Sequence, residues 1–296
     1  MNRLRVAAAQ YDLSFFNDWR DVEAKARRWV AEAAEQGANL LVFPEYGSLE
    51  ITSLFGASVY GDLVRQLEAL QETLDDFLTL HAGLAHQHGV HIVAPSYPVR
   101  VGDVYRNRAY LFSPGGDRGH QDKLLMTRFE HEQWDISAGD TLNVFATSLG
   151  GLAVNVCYDS EFPLLARRQV EAGADILLVP SCTDTLAGYY RVRTGCRARA
   201  LENQCFAVHA PTVGNAAWCP SADANVGAGA VYCPPDRGLP DDGVLAQGAL
   251  NEVRWVYADL DFAAMRAVRE DGQVFNHRDW ATQVNAIRPR VRVETL

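Results

Sequence analysis

Residues 37–44 read G-A-N-L-L-V-F-P, and residues 173–180 read G-A-D-I-L-L-V-P. Each stretch opens on glycine, runs through four apolar residues and closes on proline. A continuous apolar run of strand length, rather than an alternating one, marks a strand covered on both faces. Each run also follows a helical pattern. Ahead of Gly37, residues Trp19, Val22, Ala26, Trp29, Val30 and Ala33 recur at helical spacing. Asn17 or Asp18 offers the N-cap there, and Gly37 the stop. Ahead of Gly173, Phe162 to Ala172 reads as a helix, with Ser160 as its cap and Pro163 in its first turn. Two similar halves, each a sheet with helices on one side, would pack sheet against sheet.

Working outward, Arg5 to Gln10 supplies a first strand, making a strand–helix–strand unit with parallel strands. Leu63 to Ala85 carries helical periodicity, and Val90 to Ala94 and Ala109 to Phe112 read as strands before the turn Pro114-Gly115-Gly116. Val144 to Thr147 and Leu152 to Val156 form a hairpin around Gly150-Gly151. After the second echo, Tyr190 to Gln204 reads as a helix and Phe206 to Ala210 as a strand. Val253 to Asp259 is a late strand and Phe262 to Arg269 a late helix. Pro220 to Gly243, rich in Gly, Pro and Asp, reads as a long surface excursion. No linker or low-complexity segment divides the chain. Residues 1–296 therefore read as a single α/β domain, with a core over about 5–270 and a C-terminal extension over 271–296.

Composition narrows the function. With 48% hydrophobic and 22% charged residues, the 296-residue chain has an ordinary globular make-up. Its 27 Lys and Arg against 37 Asp and Glu give a formal charge of -10, which repels nucleic acid and anionic membrane. No run approaches the roughly 20 apolar residues of a membrane span. The N-terminus lacks a signal-peptide layout, so a cytoplasmic protein is expected. None of the six cysteines forms a C-x-x-C pair, and in a reducing compartment each defaults to a small buried hydrophobe. His86, His88 and His91 cluster, but without good metal-ligand spacing.

Three polar residues stand just past strand ends, where layered α/β folds place active sites. Glu45 follows L-L-V-F-P, Lys123 sits in H-Q-D-K-L-L after the segment that follows the strand Ala109 to Phe112, and Cys157 ends G-L-A-V-N-V-C. Taken singly, each has a plainer role: a capping or surface carboxylate, a core thiol, a solvated ammonium. Together they make an acyl-transfer kit. A free thiol has a pKa of about 8.5 and needs a base. No histidine stands out for that task. A carboxylate raised by burial can serve instead, and Glu45 lies among Phe43, Pro44 and Tyr46. Lys123 and the backbone N–H of Tyr158 would hold the oxyanion; losing one such donor costs about 3–4 kcal/mol of barrier.

At these residues the sequence resembles the nitrilase superfamily, the carbon–nitrogen hydrolases, which use a Glu–Lys–Cys triad in that chain order. The Glu motif matches Leu41-Val42-Phe43-Pro44-Glu45, and the Lys motif Asp122-Lys123-Leu124. The Cys motif matches Val156-Cys157-Tyr158-Asp159-Ser160-Glu161-Phe162-Pro163. Arg197-Ala198-Arg199-Ala200-Leu201-Glu202-Asn203 matches the family's R-A-x-E-N element.

The resemblance implies a four-layer α-β-β-α sandwich and a catalytic set of Glu45, Lys123 and Cys157. It also implies a second glutamate after the lysine, for which Glu130 fits and Glu132 competes. Homodimers or higher homo-oligomers are implied too, with Val291-Arg292-Val293 either a strand across such an interface or a free tail. Cys157-Tyr158-Asp159 with Phe162-Pro163 is similar to the amidase-type branches, whereas K-L-L-M-T-R-F-E-H-E-Q-W has a nitrilase cadence. The combination resembles a branch sometimes fused to an N-acetyltransferase domain. No such domain is expected here, because the catalytic domain begins at residue 5.

The expected activity is hydrolysis of a small linear amide through a cysteine thioester, with no metal or organic cofactor. Tyr46, Trp134, Tyr158, Asp159 and Thr183 are candidates for the pocket wall. Nitrile hydrolysis by the same triad is the alternative. A silent scaffold or nucleotide-binding module is a third, disfavoured because the triad is complete and Gly227-Ala228-Gly229 is no dinucleotide fingerprint.

Overall fold

The structure is a computed structural model that describes residues 3–286 and 292–295. The first half runs β1 (Arg3–Gln10), α1 (Trp19–Glu35), β2 (Leu40–Val42), α2 (Ala57–Tyr60), α3 (Leu63–His88), β3 (His91–Val93), β4 (Tyr97–Val101), β5 (Val104–Phe112), β6 (Arg118–Asp122) and α4 (Arg128–Glu132). The second half runs β7 (Phe145–Thr147), β8 (Gly150–Val154), α5 (Pro163–Glu171), β9 (Ile176–Ser181), α6 (Leu186–Asn203) and β10 (Phe206–Pro211). A small pair, β11 (Gly214–Asn215) and β12 (Ala224–Asn225), precedes β13 (Ala230–Tyr232), β14 (Val244–Gln247), β15 (Arg254–Asp261), α7 (Phe262–Asp271) and α8 (Asn276–Ala286).

The echoed stretches occupy equivalent places. β2 lies parallel to β1 and β3, and β9 parallel to β8 and β10. The first sheet has the order β15-β1-β2-β3-β5-β4, with β6 paired to β5; the second has the order β14-β13-β10-β9-β8-β7. Gly37 and Gly173 each take a positive φ, 78° and 103°, as the chain turns from helix to strand. A residue with a Cβ meets steric strain there.

Side-chain alternation separates the layers. Leu4, Val6, Ala8, Leu40, Val42 and Val93 face the second sheet and join one core with Leu177, Val179 and Val208. Their neighbours Ala7, Ala9, Leu41, Phe43 and Ile92 face the other way, against Trp29 and Val30 of α1 and Leu70, Phe77 and Leu84 of α3. α5 and α6 cover the far side of the second sheet, through Ala166, Val170, Val192 and Cys196. The result is the expected α/β four-layer α-β-β-α sandwich, in which every strand of the echoed units is buried on both faces.

Several local expectations are corrected. The 220–243 stretch is not wholly an excursion: β13 lies inside it, buried and antiparallel to β10. Its three residues are too short a run to show against flanking Gly and Pro. Ser160 does not cap α5. The N-cap is Phe162, with no side-chain bond and Pro163 at the first helical position, while the Ser160 hydroxyl donates to the Cys157 carbonyl. In the β7–β8 hairpin, Gly150 and Gly151 pair within the ladder and Ser148-Leu149 form the turn. α6 begins at Leu186, capped by the Thr185 side chain, rather than at Tyr190. Val291 lies outside the described residues, and Arg292 and Val293 are in no strand. Among the described residues no helix is long and apolar enough to cross a membrane.

Candidate active site

Three loops meet at the carboxyl ends of β2, β6 and β8. The first carries Glu45 on the turn after β2, the second Lys123 directly after β6, and the third Cys157 on a tight turn after β8. All three side chains are buried, Glu45 and Lys123 at 1% exposure and Cys157 at 4%. Both Tyr46 and Cys157 adopt left-handed backbone, at φ 56° and 49°. Such a conformation costs a residue with a Cβ roughly 1–2 kcal/mol and persists only where its surroundings hold it. Around Cys157 the brace is α6. Arg199 donates to the Ser160 carbonyl at 3.1 Å, pairs with Glu202 at 2.6 Å, and its own carbonyl accepts from Asn203 at 3.0 Å. This is what the R-A-x-E-N element does structurally: it buttresses the elbow that presents the thiol.

Lys123 is held between two carboxylates. Its Nζ lies 2.8 Å from Glu45 Oε1 and 2.7 and 2.6 Å from the two oxygens of Glu130. Glu130, rather than Glu132, is thus the second glutamate on the lysine; Glu132 pairs at the surface with Arg128. Glu130 also caps α4. Its Oε2 accepts from the Thr127 N–H and hydroxyl at 2.9 and 2.8 Å, and its Oε1 from the Tyr46 hydroxyl at 2.6 Å. The capping-box spacing T-R-F-E was present in the sequence as a signal for this helix start.

The electrostatics separate the two carboxylates. Burial pushes Glu45 up to about 7, opposed by Lys123 and reinforced by Glu130. Glu130 is also buried, but Lys123 and its other donors outweigh that and hold it below the usual carboxylate range. On Lys123, burial works against the charge, yet Glu130 and Glu45 prevail and the pKa is raised. Burial, and then the charge of Glu45, drive the Cys157 thiol well above its ordinary value. The resting site therefore holds an intact thiol, a firmly ionised Lys123–Glu130 pair, and a Glu45 that titrates near neutrality. Two titratable groups pushed apart by their surroundings mark an acid/base assignment.

The backbone of Cys182, just past β9, completes the set. Its N–H donates to Glu45 Oε2 at 2.9 Å, and its carbonyl accepts from the Cys157 thiol at 3.8 Å. A cavity of about 620 Å³ opens over these groups, a size suited to a small molecule. Tyr46, Trp134, Tyr158 and Thr183 line it. Asp159 does not: its carboxylate accepts from the Leu124 and Leu125 N–H groups and ties the cysteine turn to the lysine loop. Charged groups at the wall include Glu161 and Arg191, 3.4 Å apart, and Asp184 and Asp223. Asn107, Ser96 and the Cys182 peptide were not singled out from the sequence; a lone Asn within V-Y-R-N-R-A-Y-L-F was the one available sign.

The carbon-nitrogen hydrolase family model matches residues 5–270, and the chain belongs to this family. Its relatives include the probable hydrolase YhcX of Bacillus subtilis (strain 168), 32% identical over 93% of this chain; the chain spans about half, 53%, of that relative's length. The omega-amidase NIT2 of Danio rerio is 25% identical over 94% of this chain and 95% of its own. Among solved structures, a carbon-nitrogen hydrolase from Helicobacter pylori G27 superposes with a TM-score of 0.76 at 20% identity, covering 98% of this chain and 99% of that one, a likeness of fold.

Proposed function

We propose that this carbon–nitrogen hydrolase cleaves a small linear amide through a thioester on Cys157, releasing a carboxylic acid and ammonia or an amine. The observation that carries the reading is one buried ammonium shared by two carboxylates of opposite proton affinity, beside a thiol in strained backbone.

Glu45 takes the thiol proton as Sγ attacks the amide carbonyl. The oxyanion lies against the Lys123 charge and the Tyr158 N–H. Glu45 then returns the proton to the departing nitrogen as the C–N bond breaks, leaving the thioester. A water, deprotonated by Glu45, attacks the acyl carbon, and collapse expels the thiolate, which recovers the proton. A base whose pKa lies near the working pH serves both directions of this transfer. Lys123, kept charged by Glu130, remains an electrostatic fixture throughout. No step calls on a metal or organic cofactor.

The test is intact-mass spectrometry after incubation with small amides and the nitriles of the same acyl groups. An acyl adduct on the wild type, absent from Cys157→Ala, is expected with the amides. Full turnover by Cys157→Ala would sink the mechanism, and adducts from nitriles alone would shift the substrate class.

A further inference from the structure

Asn107 on β5 is fully buried, and so is Ser96 between β3 and β4. A buried amide without partners is costly, so its bonds carry information about orientation. The Asn107 Nδ2 donates to Glu45 Oε1 at 2.9 Å, and its Oδ1 accepts from the Ser96 hydroxyl at 2.6 Å. The Ser96 oxygen in turn accepts from the Tyr46 N–H at 2.8 Å. Since Tyr46 is the residue after Glu45, these bonds close a ring through the Glu45–Tyr46 peptide. The Asn107 carbonyl also accepts from the Lys123 N–H at 2.9 Å. One residue therefore holds the base by its side chain and the lysine by its backbone.

The ring has a single polarity. The Tyr46 N–H can only donate, so the one hydrogen of Ser96 must go to an acceptor, and Asn107 Oδ1 is that acceptor. The amide nitrogen is thereby forced toward the carboxylate. The reverse orientation would set a carbonyl against Glu45 and leave the serine hydrogen unpaired.

This ordering distinguishes the two oxygens of the base. Oε1 receives Lys123 Nζ and Asn107 Nδ2, whereas Oε2 receives the Cys182 N–H, and the Cys157 thiol lies close enough to interact with the same carboxylate. A carboxylate oxygen accepts about two hydrogen bonds. We infer that Asn107, locked by Ser96, is a positioning residue that holds Glu45 through Oε1 and leaves Oε2 as the oxygen that receives the Cys157 proton. The Cys182 carbonyl, which already takes the thiol hydrogen bond, belongs to the same residue whose N–H marks Oε2.

A donor to the ionised form favours ionisation, so Asn107 works against burial in keeping Glu45 available as a base. The other groups facing Glu45 are Lys123, Glu130 of α4, the Cys157 and Cys182 thiols and the Tyr46 phenol. Each is retained when Asn107 is replaced.

The role rests on Glu45 acting as the base of the proposed reaction, but its test need not use an amide. The rate of Cys157 alkylation by iodoacetamide is followed against pH by intact mass, in the wild type, Asn107→Leu and Ser96→Ala. In Asn107→Leu the acid limb of this rate is expected to move to higher pH by about one unit, lowering the rate tenfold at fixed pH on that limb. Ser96→Ala is expected to move it the same way by less, because the amide is then free to turn. A residue that served only packing would change the rate or the melting temperature without moving the limb. An unmoved limb in folded Asn107→Leu overturns the inference; if that variant does not fold, an unmoved limb in Ser96→Ala overturns it. Failure of the wild type to turn over any amide would defeat the proposed reaction and leave this readout intact.

Discussion

The strands β2 and β9 share a sequence pattern, a glycine turn and a central place in their sheets, yet they end in different kinds of chemistry. Past Pro44 the first delivers a side chain, Glu45. Past Pro180 the second delivers a peptide group, the N–H and carbonyl of Cys182. The carboxylate thus comes from one strand end, and the other supplies a backbone hydrogen bond to its Oε2. A side-chain contribution leaves a mark in the sequence; a backbone contribution leaves none, because any residue type but proline has the same N–H and C=O.

This contrast can be broken or sharpened by substitution, beginning with the largest effect. Glu45→Gln removes the chemistry of the β2 end while keeping its shape. Turnover is expected to fall by about 10²–10⁴-fold, the usual worth of a general acid–base group. The pH dependence supplies a second reading. Glu45 accepts a proton only when ionised, so Cys157 alkylation in the wild type should fall as pH drops below about 7, and Glu45→Gln should abolish that limb.

Lys123→Met leaves two buried carboxylates without their cation. A loss of about 3–5 kcal/mol in urea unfolding is expected at pH 8. Without the ammonium both carboxyls sit above their unfolded pKa values, so the folded chain takes up protons as pH falls. The deficit should therefore shrink toward pH 5. A deficit that grew on acidification would contradict this distribution of charge.

Gly37→Ala and Gly173→Ala test whether the two turns are equivalent. No heavy atom would lie closer than 4.0 Å to a Cβ at Gly37, and none within 4 Å at Gly173. Each substitution should then cost only the left-handed strain, about 1–2 kcal/mol, and the two values should agree closely. Unequal losses in thermal or urea unfolding would show that the halves are alike in sequence only. The smallest effect is expected at the β9 end itself. Cys182→Ala keeps the peptide group and should leave kcat/KM within about threefold, since surface and wall changes away from the reacting atoms are mild. A large loss would mean that the thiol, not the backbone, carries the function of that strand end.

The sequence was most informative where periodicity and length coincide. The two echoed units, their helices, and Glu45 and Cys157 lie where the pattern put them, because continuous apolar runs of that length have few alternative placements; Lys123 instead follows β6, a polar strand, R-G-H-Q-D, that periodicity did not reveal. It was least informative where short elements rely on partners distant in the chain. β13 exists through its pairing with β10 and β14, not through its three residues. Asp159 sits in a catalytic motif, which made it a natural candidate for the pocket. Its carboxylate instead satisfies two orphan N–H groups of the lysine loop, from residues more than 30 positions away. Asn107 showed only as a lone amide in an otherwise strand-like run, for the same reason: its meaning lies in Glu45 and Ser96, each brought to it by the fold.

Helix α4 depends on one carboxylate with two duties. Five residues of helix have little stability of their own, and a segment of that length at a cavity mouth would ordinarily fray and breathe. Here the Glu130 that caps the helix also neutralises a buried ammonium. Uncoiling α4 would strip Lys123 of its firmest counter-charge. Its opening is therefore tied to the electrostatics of the interior, and its amide hydrogens are expected to exchange more slowly than the length of the helix alone would give. The stretch of cavity wall formed by residues 126–130 is thereby fastened to the same ion pair that holds Lys123 in place.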